Sequence, residues 1–223
     1  MKNGIARFEF YLLKIDSLMQ QAAHEQNPAL WLYKNDARTP LFMLEALCRL
    51  YAGLHNKNKF NKLKEHFKVL EDGIGSIDFY DNYAKIFLEH PTVPVNVREY
   101  MQAQAREKIQ HVNDLLLSNG WIGETPERIK KIKKTLQEVE WLKEKKETKA
   151  VANFYEDEIK KIKNYVKEAN ANFTEMELQV HELRRDLRWL SIYPQALQGM
   201  IQLIDSKFTE TKKKKYLVES IVN

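Results

Sequence analysis

Apolar side chains recur at three- and four-residue intervals from one end of the chain to the other, the period of a helix with one buried face rather than the alternation of a strand. Phe8, Tyr11, Leu12, Ile15, Leu18 and Met19 mark a first helix that ends before Pro28. Thr39 and Pro40 form a cap and first-turn pair that opens a helix to about Leu54, because proline has no N–H to lose in the first turn. A third segment runs from Lys59 to Leu70 and stops at Gly73 and Gly75, where Ser76 caps a short helix ending near His90, before Pro91 and Pro94. Val95 to Ser118 is closed by Gly120.

Thr125 and Pro126 repeat the cap and first-turn pattern, and begin the longest periodic stretch. It reaches Ala171 as one long helix, or as a hairpin of two with a break around Thr148. Thr174 and Glu177 have capping-box spacing for a helix to about Tyr193, interrupted at Pro194. Two pieces follow, Gln195 to Ser206 and Thr211 to Val222. The pattern predicts an all-α bundle of about nine or ten helices, divided into 1–120 and 121–223 at the Gly120 to Thr125 turn.

Composition supports that reading. Only 7 glycines and 6 prolines stand among 223 residues, with 30% charged and 43% hydrophobic, which argues against turn-rich sandwiches, barrels and phosphate-loop folds and against wholesale disorder. The net charge of +5 is uneven: residues 1–120 carry 15 basic and 14 acidic side chains, residues 121–223 carry 21 and 17. Cys48 is the single cysteine, so no intramolecular disulfide or Cys-rich zinc site is expected. Met1 to Phe10 lacks the apolar core of a secretory signal, and no uncharged run approaches the roughly 20 residues of a membrane span. A soluble cytoplasmic protein without a membrane partner is the expectation.

Most catalytic and metal signatures are missing. His24 and His181 are each followed by Glu without a second histidine four residues on, and no Glu precedes any histidine by three, so neither a metal nor a cofactor is expected. Gly73-Ile74-Gly75 reads as a structural turn. The tryptophans and tyrosines fall at helical intervals and read as packing, and Phe79, Tyr80 and Tyr83 as one face of a short amphipathic helix. No acid/base pair marks an enzyme.

The informative segment is VHELRRDLRW, Val180 to Trp189. On a helix, His181, Arg184, Arg185 and Arg188 share an arc of about 100°, while Val180, Leu183, Leu187 and Leu190 lie beside it. Glu182 and Asp186 fall outside the basic arc, out of line to neutralise it. Guanidinium forks bind phosphate oxygens bidentately and stay ionised, so a polyanion is the natural ligand. The blander reading pairs the stripe with Glu156, Asp157 and Glu158 of a neighbouring helix. Lys160, Lys163 and Lys167 on one helix face and the run Lys212 to Lys215 are weaker candidates, more simply a solvated surface.

HELRRDLRWLSIY (His181 to Tyr193), LCRLYAGL (Leu47 to Leu54) and FKVLEDGIGSIDFYD (Phe67 to Asp81) together resemble the CHAD family, the α-helical domain named for its histidines. The resemblance implies two related helical halves in one compact unit, with a basic groove that binds inorganic polyphosphate and performs no catalysis. It places His181, Arg184, Arg185 and Arg188 in that groove from the second half and Arg49 from the first. Leu44 and Arg49 stand opposite Leu183 and Arg188, and Phe42 occupies the place of the first histidine. A polyphosphate or other phosphate-rich ligand is therefore expected, nucleic acid less so; the alternative is a helical scaffold with a protein partner and no phosphate ligand.

Overall fold

The computed structural model describes residues 3–170 and 172–201, and every element among them is helical. The order is α1 (Asn3–Ala22), α2 (Pro28–Lys34), α3 (Arg38–Leu54), α4 (Lys57–Glu89), α5 (Val95–Ser118), α6 (Arg128–Gln137), α7 (Glu144–Glu168), a π-helical turn (Met176–Val180) and α8 (His181–Ala196). That is eight α-helices among the described residues, where the sequence pattern predicts nine or ten. The piece from Thr211 to Val222 and the run Lys212 to Lys215 lie outside the described residues, as do residues 202–206 of the piece predicted from Gln195 to Ser206.

The third helix organises the rest. Its run from Pro40 to Tyr51 is buried except at Phe42 and Arg49, which are half-buried, and it packs against α1, α4, α7 and α8. A helix buried nearly all round has to be central, because every face needs an apolar partner. Phe8, Tyr51, Phe60 and Trp141, from α1, α3, α4 and the α6–α7 connection, form one aromatic cluster with ring centroids 5.3 to 5.9 Å apart. Burying each such side chain contributes on the order of 1.5–3 kcal/mol.

Several predicted boundaries are corrected by tertiary contacts. Gly73 and Gly75 do not stop a helix: α4 runs through them for 33 residues. They serve close approach instead. A Cβ on Gly73 would stand 2.8 Å from Val112 Cγ2 of α5, and one on Gly75 would stand 2.8 Å from Arg38 Nη2. Ser76 is no cap, since its hydroxyl donates to the Asp72 carbonyl within α4.

Thr39 lies inside α3 and donates its hydroxyl to Asp36 Oδ1. Thr125 and Pro126 precede α6, which begins at Arg128 with the Arg128 N–H donating to the Gly120 carbonyl. The long stretch after Thr125 breaks at residues 138–143 and not near Thr148, whose hydroxyl donates to the Glu144 carbonyl within α7. Trp141 explains the break, because it leaves the helical path to bury its ring beside Tyr51, with Nε1 donating to the Leu136 carbonyl at 2.9 Å. The predicted capping box at Thr174 is not formed. The backbone N–H groups of Thr174 and Glu175 both donate to Gln179 Oε1, and Pro194 sits within α8 instead of ending it.

Candidate functional site

Three helices enclose a highly charged cleft. Its cavity of about 290 Å³ is lined by Arg38, Phe42, Glu45 and Arg49 of α3, Lys68, Glu71 and Asp72 of α4, and Arg185, Arg188 and Trp189 of α8. A second, broader cleft of about 490 Å³ continues past Phe42 and Arg188 toward Thr39, Ser191 and Gln195. Five cations face three carboxylates in the first of these.

The floor is built from buried acids. Glu45 and Glu71 are 2% and 3% exposed. Arg49 donates through Nε to Glu45 Oε1 at 2.9 Å, and its Nη2 lies 2.9 Å from the same oxygen. Arg38 spans α4, donating from Nε to Glu71 Oε1 at 2.6 Å and from Nη1 to Asp78 Oδ2 at 3.3 Å. Burial pushes the Glu71 carboxyl up, and the guanidinium of Arg38 opposes that shift without cancelling it. Lys68 donates to Asp72 at 2.6 Å; burial alone would lower its ammonium, but the Asp72 partnership raises it on balance.

Above this floor, cations and rings alternate between α3 and α8. Arg49 Cζ lies 4.2 Å from the centre of the Trp189 ring, and Arg188 Cζ lies 4.5 Å from that of Phe42. The Phe42 and Trp189 rings stack at 5.3 Å and 24°, and Trp189 stacks in turn on Tyr193 at 6.0 Å. Each helix thus supplies one arginine and one ring to the other. A ring offers no strong hydrogen-bond acceptor, so Arg188 keeps the capacity of its N–H groups while its charge is held in place. Among the described residues Arg188 has no ion-pair partner.

The predicted site residues divide accordingly. Arg49, Arg185 and Arg188 come together in the cleft, whereas His181, about one turn before Arg185, and Arg184, its immediate neighbour, do not line it. Arg185 pairs with Glu182 at 2.9 Å, which corrects the expectation that this carboxylate stands out of line. Glu156, Asp157 and Glu158 do not neutralise the stripe either: Asp157 pairs with Lys160 and Glu158 with Lys161 of their own helix, and Glu156 is exposed. Lys160, Lys163 and Lys167 lie on the exposed face of α7, away from the cleft.

Sequence reasoning missed Arg38, Lys68, Glu45 and Glu71. Two signals were legible. Glu45 is the one charged residue between Arg38 and Arg49 and stands four before Arg49, while Glu71 borders the apolar face of α4 set by Phe67, Leu70 and Ile74. A carboxylate in such a position needs a cation, because an unpaired charge is costly to bury. What no spacing shows is that the cation for Glu71 comes from Arg38, on another helix.

A second polar cluster lies deeper and is structural. Arg7 Nη1 donates to Tyr51 Oη at 2.9 Å and to Glu147 Oε1 at 3.0 Å, and the Tyr51 hydroxyl donates to the same carboxylate oxygen. It ties α1, α3 and α7 together, with Glu147 1% exposed and Glu147 Oε2 without a hydrogen-bond partner among the described residues. Burial and the Glu147 carboxylate both push the Tyr51 phenol up, so it is a hydrogen-bond donor throughout the physiological range.

Among the described residues, no group of three or more His, Cys, Asp or Glu side chains is placed to hold a metal ion, and no helix is long and apolar enough to cross a membrane. No protein-family model matches the chain, and no curated protein or solved structure matches it.

Proposed function

We propose that this protein is a non-enzymatic anion-binding module whose cleft between α3, α4 and α8 takes a phosphate-rich ligand, with inorganic polyphosphate or clustered phosphates as the class that fits. The observation that carries the proposal is Arg188: a guanidinium held on Phe42 at 4.5 Å, unpaired among the described residues, at a cleft where cations outnumber carboxylates. Arg185 stands one turn away and is tied only to the half-exposed Glu182, a partner that a phosphate displaces readily because exposed pairs are worth little. Arg49, anchored by Glu45, orients from the opposite helix. The resemblance to the CHAD family supports the same reading, since Arg49 and Arg188, which it sets opposite one another, each lie on a ring of the facing helix. Two related halves, 1–120 and 121–223, belong to this proposal.

Polyphosphate binding by the full chain at near-physiological salt, compared with Arg185→Glu/Arg188→Glu, tests it. Tight binding by the wild type, steeply weakened by salt and lost in the variant, is the expected result. Equal binding by both folded proteins, or none by the wild type, ends the proposal. A nucleic-acid competitor that displaces polyphosphate at equal phosphate concentration shows a generic basic surface.

A second reading, a helical protein-interaction module, is favoured by the α4–α5 hairpin. Phe79, Tyr83 and Ile86 of α4 and Tyr100 of α5 expose 41 to 56% of their surface toward the hairpin tip. Binding of a protein partner there would be insensitive to salt and to charge reversal at Arg188.

A further inference from the structure

The contact between α1 and α6 leaves a groove along its outer side. Ile5, Glu9 and Leu13, one turn apart on α1, face Lys133, Leu136 and Gln137 of α6 across a cavity of about 260 Å³. A second cavity of about 650 Å³ continues it past Lys133 and Gln137 to Asp16, Ile129 and Pro126. The two helices are antiparallel, because Ile5 lies by the end of α6 whereas Asp16 reaches Lys133 and the residues at its start. From Ile5 to Asp16 is about 17 Å of helix, or three turns.

The wall formed by α6 carries one sign of charge. Its ten residues include Arg128, Lys130, Lys131, Lys133 and Lys134 and no carboxylate. At 100° per residue Lys130, Lys133 and Lys134 share an arc of about 100°, bordering Ile129 and Leu136. Arg128 donates to the Asn119 carbonyl, Lys131 pairs with Glu127 and Lys133 with Asp16. Lys130 and Lys134 are exposed and have no ion-pair partner among the described residues. Four apart on one helix, they repel each other, and a carboxylate between them would relieve that repulsion. The floor is apolar: Leu136 is buried, and Leu13 stands over it 61% exposed.

An apolar floor with a cationic rim is complementary to a ligand that has both apolar groups and carboxylates. A nucleic-acid or polyphosphate chain would satisfy the lysines, but it would leave Leu13 uncovered and bring phosphates against Glu9 and Asp16 of the other wall. An extended peptide finds no strand edge between two helices to pair its backbone groups, whereas a helix pairs its own.

We propose that the α1–α6 groove docks an acidic amphipathic helix of a partner protein, about three turns long, with its apolar side chains on Ile5, Leu13 and Leu136 and its carboxylates on Lys130 and Lys134. None of these residues lines the cleft between α3, α4 and α8, so the inference stands apart from the phosphate reading.

Fluorescence polarisation with the full chain tests it. The probe is a labelled, cross-linked helical peptide of about 14 residues, with leucines spaced i, i+4, i+7 beside a row of glutamates. Lys130→Glu/Lys134→Glu and Leu13→Asp, all at exposed positions, each weaken its binding at least about tenfold with Tm unchanged, and the doubly reversed variant binds a version of the peptide with lysines for glutamates. No binding by the folded wild type overturns the proposal, as does binding that survives replacement of the peptide's leucines by serine, which would reveal a simple charged surface. Displacement of the peptide by polyphosphate or duplex DNA, with their binding lost in Lys130→Glu/Lys134→Glu, overturns it in favour of a polyanion. Self-association of the wild type that Leu13→Asp abolishes overturns it in favour of a second copy.

Discussion

The guanidinium of Arg49 lies 4.2 Å from the centre of the Trp189 ring, while both its Nε and its Nη2 are held by Glu45. Seven residues before Arg49, Phe42 receives Arg188 from the facing helix, a guanidinium with a ring beneath it and no ion-pair partner among the described residues. The two arginines look alike in sequence and differ in what they are free to do.

That difference predicts opposite signatures. If the proposed phosphate site is right, Arg188→Ala weakens polyphosphate binding by about tenfold and reduces the salt slope by roughly one, with little change in Tm, because it removes the proposed phosphate contact and no buried partner. Arg49→Ala lowers stability by about 1–3 kcal/mol, because Glu45 is left buried without its donor, and it weakens binding less. Isothermal titration at two salt concentrations, beside thermal melts of both variants, checks the pair.

The Arg7, Tyr51 and Glu147 cluster is a folding element. Glu147→Ala strands the Arg7 guanidinium in the core and costs about 3–5 kcal/mol, whereas Arg7→Met combined with Glu147→Leu removes both charges and costs clearly less. Urea denaturation of Arg7→Met, Glu147→Leu and the double variant measures the coupling, and additive losses would contradict it.

Two histidines make stability fall as the medium is acidified. Burial lowers the imidazoles of both His55 and His66, and Arg128 lowers His66 further, with Arg128 Nη1 3.3 Å from His66 Nε2. A group whose folded pKa lies below its unfolded value of about 6.5 binds fewer protons in the native state, so its contribution is full above that value and is lost as pH drops below it. Glu71 acts in the opposite sense at lower pH, since its carboxyl is raised on folding. The histidine contribution is therefore read as a difference: between pH 7 and 5.5, Tm falls less for His66→Leu than for the wild type.

Gly73 is placed by α5. Leucine there would drive its side chain into Val112, which is fully buried and β-branched, and separate α4 from α5. Gly73→Leu destabilises by about 1–3 kcal/mol despite the better helix propensity of leucine, and a variant as stable as the wild type by thermal melt would show that the hairpin tolerates the gap.

Periodicity alone determined that the chain is helical, and it located α1, the interior of α3, α5 and the body of α8, because each shows one apolar face every 3.6 residues. It also brought Arg185 and Arg188 forward, since shared phase on a helix is a one-dimensional property, whereas Arg49 was pointed to only by the family resemblance. What the tertiary structure decided was everything that depends on a second element. Gly73 and Gly75 read as a stop, yet they permit Val112 and Arg38 to approach an unbroken helix, and only the neighbours show this. Trp141 breaks the path between α6 and α7 because the aromatic cluster around Tyr51 outweighs local helix propensity. The partners of the charges, Arg38 with Glu71, Arg7 with Glu147 and Arg188 with Phe42, lie 33, 140 and 146 residues apart in the chain, and at such separations no spacing rule applies. Local phase follows from the backbone geometry of one helix, but the choice among a guanidinium's possible partners follows from which helices the core forces together.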